Sequence, residues 1–230
     1  MYIQFMVEDQ SGGKLIETLI EKYKNETPSL TIEYDIKFYK GLGNFNKGKD
    51  PIAIKSEQLL SDLPKRIRAF NVSLRDKKNS SLFIIIDNDR REPGDFRRKL
   101  EESIDNKVIL DHVFCIAVEE IEAWLLGDVS AIVSAYLSMK DRINTKHSQY
   151  KQDEIRSDGT WEFLFDLLRP PKKGAIKKEK LSFVELGKYK FDWAGAIGLH
   201  MNIRRNASPS FKHFIGELDR RRELVMNTSG

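Results

Sequence analysis

Three short apolar segments, each followed directly by acidic residues, constrain the fold of this 230-residue chain more than any other feature. The segments and their acids are 3–7 before Glu8, 82–86 before Asp87 and Asp89, and 113–118 before Glu119. Short apolar runs of this kind are typical of strands that are buried on both faces of a parallel sheet. Because ligands of open α/β sheets bind outside the carboxyl ends of the strands, the pattern predicts a single acidic edge.

The order of the predicted elements indicates the same fold class. Strands are predicted at 2–7, 31–39, 82–86 and 113–118, and helices at 14–24, 54–76, 93–104 and 119–139, with a break at Pro64. An alternation of strands and helices predicts an α/β fold whose mainly parallel central sheet is flanked by helices.

The sequence becomes polar and charged near residue 140, where a connector (139–158) begins. Further helices are predicted beyond it, at 161–168, 193–201 and 209–224. We therefore expect an α/β core over 1–140 and a mainly helical C-terminal extension over 141–230 that packs on the core.

Composition excludes several classes of protein. The single cysteine, Cys115, lies inside a predicted strand, so we expect a small core residue and no internal disulfide. Glu8 and Asp9 interrupt the apolar core that a signal peptide would need, and no run reaches the roughly 18 apolar residues of a membrane span. We expect a cytoplasmic protein without membrane contact. The scattered histidines lack the paired spacing of a zinc site.

The acidic edge predicts a bound cation. Carboxylates that converge on one place repel each other, and a divalent ion relieves that repulsion. Hard oxygen ligands without nearby histidine or cysteine favour Mg²⁺ or Mn²⁺. The expected metal ligands are Glu8, Asp87, Asp89 and Glu119. A plainer interpretation stays open for each: the aspartates suit a turn or a helix cap, and Glu8 an exposed loop.

Glu119 and Glu122 are three residues apart and would share one face of the predicted helix at 119–139. We therefore count both as candidate catalytic acids, together with Glu8, Asp87 and Asp89. The alternative is that glutamates here only favour the positive N-terminus of a helix, which suits Glu120 best.

Basic residues surround the acidic segments, and the formal net charge is +4. An acidic centre within basic surroundings suits a polyanion held by its phosphates and attacked at a metal site. The candidates for binding nucleic acid, or for neutralising charge during the reaction, are Lys173, Lys177, Arg204 and Arg205. Solvated helix faces are the alternative. The glycine-rich segment at 41–51 lacks the ending of a P-loop and is interpreted as a flexible loop.

The acidic pattern also resembles the TOPRIM domain, a fold found in topoisomerases, primases and nucleases associated with ABC-type ATPases. A closer resemblance is to a family of small prokaryotic TOPRIM-like proteins that is labelled as a domain of unknown function. The segments that carry the resemblance are 5–8, 85–89 and 118–126, with a weaker C-terminal similarity at 206–211. Together they span nearly the whole chain.

The resemblance implies a TOPRIM or Rossmann-like fold and metal-dependent hydrolysis of DNA or RNA. Glu8, Asp87, Asp89, Glu119 and Glu122 would be its acids, and an ABC or AAA-type ATPase a partner in phage defence. Asp9 stands where TOPRIM proteins have a glycine, and Arg91 where some have a third acid. These departures keep a second function open, a non-catalytic TOPRIM-like module that binds an ATPase or nucleic acid.

Overall fold

A four-stranded sheet forms the centre of the protein. The computed structural model describes residues 1–41, 59–169 and 178–228. The strands of the sheet are β1 (Tyr2–Val7), β2 (Glu33–Phe38), β3 (Ser80–Asp87) and β4 (Asp111–Ala117). They lie in the order β2-β1-β3-β4, and each neighbouring pair is parallel. The expected α/β class is therefore confirmed.

The strand register aligns the carboxyl ends of the strands. Val7 pairs with Phe38 on one side and with Ile85 on the other, and Asp87 pairs with Ala117. From β1 the chain first moves outward to β2 and then crosses to the opposite side to form β3. This reversal makes the carboxyl ends of β1 and β3 a topological switch point, the place where open α/β sheets bind ligands.

Helices cover both faces of the sheet. Within the described residues they are α1 (Gln10–Glu26), α2 (Leu63–Ser73), α3 (Pro93–Glu102), α4 (Glu122–Leu126), α5 (Val129–Ala135), α6 (Lys140–His147), α7 (Thr160–Leu168), α8 (Phe183–Gly198) and α9 (Pro209–Thr228). Short 3-10 turns lie at Leu60–Asp62, Leu137–Met139 and Lys178–Lys180. No helix in the described ranges is long and apolar enough to cross a membrane.

Alternate side chains of β1, β3 and β4 enter two different hydrophobic cores. Ile3, Phe5 and Val7 pack with α1 and the helices from α4 onward, whereas Met6 packs with α2 and α3. This alternation follows from the two-residue period of a strand. Cys115 is fully buried in the first core, as the sequence predicts.

The C-terminal helices contribute to the first core directly. The Phe214 ring of α9 lies 6.4 Å from that of Phe5 and 6.1 Å from that of Phe83, measured between ring centroids. It also stacks on Trp124 at 5.2 Å. The division at residue 140 stays a prediction, and side chains from both sides of it share this core.

Helix α8 runs alongside α1 in the same direction. A Cβ atom added at Gly195 would lie 3.9 Å from Lys14, and one added at Gly198 would lie 3.5 Å from Thr18. One turn further along, the Lys22 ammonium donates to the carbonyl oxygen of Leu199 at 2.8 Å. Since these contacts advance together along both helices, the second half of α8 lies beside the first half of α1, and Lys190, five residues before Gly195, lies near the start of α1.

The prediction of a continuous helix at 119–139 is wrong. Glu119 has a φ of 64°, which is incompatible with a helix, and α4 begins only at Glu122. A second interruption follows α4, where the Asp128 carboxylate accepts the Ala131 amide at 3.1 Å and caps α5. Glu119 and Glu122 therefore do not share a helix face.

Other boundaries also differ from expectation. The connector at 139–158 contains α6, and the helix expected at 193–201 already begins at Phe183. Ser182 and Glu185 form a capping box there, with each side chain accepting from the other's backbone amide. The glycine-rich loop lies outside the described residues apart from Gly41, as do the first residues, 54–58, of the second predicted helix.

Candidate active site at the acidic edge of the sheet

Glu8 and Asp87 meet at the switch point between β1 and β3. Glu8 directly follows β1, and Asp87 is the last residue of β3. The Asp87 amide donates a hydrogen bond to Glu8 Oε2 at 3.3 Å. Within the described part of the chain, no side chain donates to the Asp87 carboxylate. The structure thus brings these two predicted site residues together at the switch point.

The environment of both carboxylates disfavours their charged forms. Burial raises the pKa of Glu8 to about 7, and the Asp89 and Asp9 carboxylates add to the effect. Burial also raises the pKa of Asp87, and Glu8 and Glu122 raise it further by repulsion, although Lys190 lowers it. Because burial penalises an unpaired charge, a bound cation would stabilise the ionised pair.

A lysine neutralises a second pair of acids at the same edge. The Lys190 ammonium lies 3.3 Å from Glu120 Oε1 and 3.2 Å from Glu122 Oε2. Burial alone would lower the pKa of Lys190, but attraction to Glu122, Glu120 and Asp87 raises it above its ordinary value. Burial raises the pKa of Glu120 to about 8 although Lys190 lowers it. Lys190 therefore stays charged inside the protein.

Sequence reasoning missed Lys190 because the helix that carries it was expected to begin only at Trp193. In α8, Lys190 precedes the buried residues Trp193, Ala194 and Ile197 by three, four and seven positions. That spacing places the four residues on one helix face. A lysine within an otherwise apolar stripe is the signal that would have identified it.

Asp89 is separated from the Glu8–Asp87 pair by a turn. Its φ is 51°, and its exposed carboxylate forms an ion pair with Arg91 at 2.5 Å. Buried Asn88 holds this turn: its side-chain oxygen accepts from the Glu119 amide, and its side-chain nitrogen donates to the Arg91 carbonyl oxygen. The structure thus places Asp89 beside the switch point with a cation of its own.

The Glu119 carboxylate serves a neighbouring segment. Its Oε2 accepts from the Thr160 hydroxyl group and from the Arg156 amide, the latter at 3.3 Å. The backbone of Glu119 still contributes to the edge, since its carbonyl oxygen accepts the Asp89 amide at 2.9 Å. The positive φ of Glu119 turns its side chain toward α7. This predicted metal ligand therefore accepts hydrogen bonds within the fold.

Asp9 stands at the position where the resemblance expected a glycine, and it caps α1. Its carboxylate accepts from the Gly12 amide and from the Ser11 hydroxyl group, each at 2.8 Å. Gly12 meets the steric demand of this turn, since an added Cβ atom would lie 2.8 Å from Val7 Cγ1. The chain therefore folds tightly from Glu8 into α1 without a glycine at position 9.

The described basic candidates lie away from the acidic edge. Arg204 pairs with Glu26 at 2.8 Å and with Asp219 at 2.6 Å. Glu26 ends α1, a 17-residue helix, so it lies about 25 Å from the end that adjoins Glu8. Arg205 is exposed next to Arg204, whereas Lys173 and Lys177 lie outside the described residues. The cation that the described residues bring to the acids is Lys190.

The geometry limits the metal sites that can be considered. In residues 1–41, 59–169 and 178–228, no group of three or more His, Cys, Asp or Glu side chains is arranged to hold a metal ion. The Glu8–Asp87 pair provides two carboxylates at adjoining strand ends. Mg²⁺ is commonly held by one or two carboxylates and retains several water molecules. This pair is thus a donor set that suits a hard, hydrated cation.

The remaining segments of the resemblance, 118–126 and 206–211, are hydrogen-bonded to each other beside this edge. The Trp124 indole donates to Ser210 Oγ at 2.9 Å, and the Asn206 side chain donates to the Trp124 carbonyl oxygen at 2.7 Å. The Ala207 amide also donates to the Gly127 carbonyl oxygen at 2.8 Å. These bonds tie the start of α9 to α4, the helix that carries Glu122.

A family match covers both the acidic edge and this support. No match was found among curated proteins or among solved structures. The family described as a domain of unknown function, DUF4276, matches residues 7–219. That range contains Glu8, Asp87, Glu122 and Lys190. Since it spans most of the 230 residues, the chain belongs to the DUF4276 family.

Proposed function

We propose that the protein is a Mg²⁺- or Mn²⁺-dependent nuclease that hydrolyses phosphodiester bonds at the acidic edge of the sheet. The observation that supports this proposal most strongly is the meeting of Glu8 and Asp87 at the switch point, with no cation from the described residues paired to them. The resemblance to TOPRIM nucleases, carried by the same two residues, adds the reaction class.

The carboxylates of Asp87 and Glu8 would hold the ion. When bound, Mg²⁺ or Mn²⁺ supplies Lewis acidity that polarises a phosphate and activates a water molecule. Glu8 Oε2 is occupied by the Asp87 amide, whereas Oε1 accepts no hydrogen bond from the described residues. That oxygen is free to orient the attacking water or to accept its proton.

Lys190 provides a fixed positive charge beside this pair. A phosphodiester approaching the edge brings negative charge, which increases on the phosphoryl oxygens during hydrolysis. A preorganised ammonium group stabilises such charge without the cost of reorienting solvent. We assign to Lys190 the role that sequence analysis gave to Lys173, Lys177, Arg204 or Arg205.

The other candidate acids receive secondary roles. Glu122 holds Lys190, and Asp89 adds negative charge next to Glu8. Glu119 positions the turn that carries Asp89 through its backbone. We therefore expect their replacement to reduce cleavage less than the replacement of Asp87 does.

The resemblance also supports an ABC or AAA-type ATPase as a partner, with the nuclease acting as an effector in phage defence. The second candidate is a non-catalytic module that binds such an ATPase or nucleic acid. Two observations favour that candidate: Asp89 is paired with Arg91, and the Glu119 carboxylate is hydrogen-bonded to Thr160. In both cases, a carboxylate that was predicted to bind the metal ion is held by other residues instead.

Cleavage assays distinguish the two functions. The purified chain is incubated with single- and double-stranded DNA and RNA in Mg²⁺ or Mn²⁺, beside Asp87→Asn, Glu8→Gln and the control Asp89→Asn. We expect metal-dependent cleavage that falls by about 100-fold or more in the first two variants and by less in the control. Binding of these substrates without cleavage, also in the presence of the ATPase partner, would favour the non-catalytic module.

A further inference from the structure

Two pairs of acids at the carboxyl edge differ in their partners among the described residues. Glu8 and Asp87 adjoin through the Asp87 amide, and neither carboxylate forms an ion pair with a described residue, although Lys190 is near enough to lower the pKa of both. Glu120 and Glu122 share the Lys190 ammonium at 3.3 and 3.2 Å. The edge therefore contains one compensated pair and one uncompensated pair.

In the compensated pair, Glu120 and Glu122, both carboxylate oxygens of Glu120 already have partners. Glu120 Oε1 contacts Lys190, and Glu120 Oε2 accepts the Trp161 amide at 3.1 Å. The side chain of Glu122 is only 2% exposed, and that of Lys190 is 14% exposed. A divalent ion that entered between these glutamates would have to break existing bonds in a buried place.

The position of Lys190 is set by the packing of its helix. Downstream in α8, an added Cβ atom at Gly198 would lie 3.2 Å from Leu15 of α1, so the two helix backbones approach closely. Trp193, the next buried residue on the face of Lys190, is packed in the first core. The packing of α8 therefore holds the ammonium group at the edge.

Charge balance limits the number of further cations. Lys190 leaves the Glu120–Glu122 pair with one net negative charge, whereas the Glu8–Asp87 pair retains two when both are ionised. A divalent ion between Glu120 and Glu122 would meet the Lys190 ammonium at ion-pair distance, where repulsion is strongest. When both are ionised, Glu8 and Asp87 match the charge of one divalent ion, and Asp9 and Asp89 add negative charge beside Glu8.

We propose that the site binds a single divalent cation, at Glu8 and Asp87, and that the Lys190 ammonium occupies the place of a second one. This inference rests on the proposed metal dependence of the protein. It also specifies the groups that would act on the phosphodiester, a single ion and a lysine in place of two ions.

Titration with Mn²⁺ tests the inference without relying on activity. The full chain is titrated by calorimetry, and bound Mn²⁺ is counted by electron paramagnetic resonance, for the wild type, Lys190→Met and Lys190→Arg. We expect one ion in the wild type and in Lys190→Arg, and two in Lys190→Met, where the glutamates are free to bind. Two ions in the wild type, or one in folded Lys190→Met, would overturn the inference. No ion in the wild type would overturn the proposed metal dependence as well.

A second pair of variants decides the question if Lys190→Met does not fold. We expect Asp87→Asn to weaken Mn²⁺ binding by at least about tenfold, and Glu122→Gln to retain one ion with nearly unchanged affinity. Loss of the ion in Glu122→Gln with retention in Asp87→Asn would place the cation at the glutamate pair and contradict the assignment.

Discussion

The Lys190 ammonium lies 3.2 Å from Glu122 Oε2, in a part of the sheet edge where both side chains are largely shielded from solvent. This contact brings α8, from the C-terminal half of the chain, to the carboxyl ends of strands formed by the N-terminal half. It also distinguishes the Glu120–Glu122 pair, which is bound to a lysine, from the Glu8–Asp87 pair, where we propose that the cation binds. The proposed site is therefore made by both halves together.

Replacing Lys190 by methionine should strongly destabilise the protein. The change leaves Glu120 and Glu122 buried without their counter-charge, and breaking a buried ion pair in this way costs about 3–5 kcal/mol. Urea unfolding in the absence of divalent ions measures the loss. Lys188→Met, the same change at an exposed position of α8, should stay within about 0.5 kcal/mol of the wild type. Equal effects in both variants would show that the ion pairs contribute nothing measurable.

Gly12→Ala should lower the free energy of unfolding by about 1–3 kcal/mol. The new methyl group would lie 2.8 Å from Val7 Cγ1, and Val7 is buried, so the turn between β1 and α1 would have to shift. The matched control is Gly216→Ala in α9, where an added Cβ atom meets nothing within 4 Å. Alanine there should stabilise the helix by about 0.5–1 kcal/mol. A neutral Gly12→Ala variant would contradict the close approach.

Asn206→Ala should cost about 2–3 kcal/mol of stability. Buried Asn206 donates to the Trp124 carbonyl oxygen at 2.7 Å and accepts the Ser208 amide at 2.9 Å, so its removal leaves two buried groups without partners. Thermal and urea unfolding measure the loss. Asn227→Ala, at an exposed position of α9, serves as the control and should change stability by less than about 0.5 kcal/mol. A loss of equal size in the control would refute the structural role of Asn206.

Stability should fall in acid because of Asp111. Although burial raises its pKa, the hydrogen bond from Ser81 and the charge of Arg221 lower it below the ordinary value of 3.8. A lowered folded-state pKa gives stability that is present above the unfolded-state pKa and is lost as the pH falls through the folded-state value. Urea unfolding between pH 7 and pH 2.5 should show this loss below about pH 4.

Asp111→Asn provides the comparison for that pH series. This variant lacks the ion pair with Arg221, which is 2.5 Å long in the wild type. It should be less stable than the wild type at pH 7, and the difference should shrink toward pH 2.5, where the wild-type carboxylate is protonated. A difference that stays constant across the series would exclude Asp111 as a source of the acid sensitivity.

The sequence predicts the sheet well because its determinants are local. Continuous apolar runs define β1, β3 and β4, and the acids that follow them locate the carboxyl edge. The pairing of Glu8 with Asp87 follows from this pattern once the two strands are neighbours. Strand neighbours themselves depend on contacts far apart in sequence, but the alternation of strands and helices restricts the choices.

The arrangement of the other acids was not accessible from local patterns. The direction of the Glu119 side chain depends on a positive φ and on Thr160, forty-one positions away. Lys190 reaches Glu122 across 68 positions, through the packing of α8 on α1. Such contacts are set by tertiary packing, so spacing along the chain cannot reveal them.

An anomalous-scattering experiment on crystals soaked in Mn²⁺ tests the central claim most directly. We expect one Mn²⁺ peak between the Glu8 and Asp87 carboxylates, with metal–oxygen distances of about 2.0–2.3 Å, and the Lys190 ammonium still bound to Glu120 and Glu122. A soaked crystal with no peak at Glu8 and Asp87, or with its peak at the glutamate pair, would contradict it.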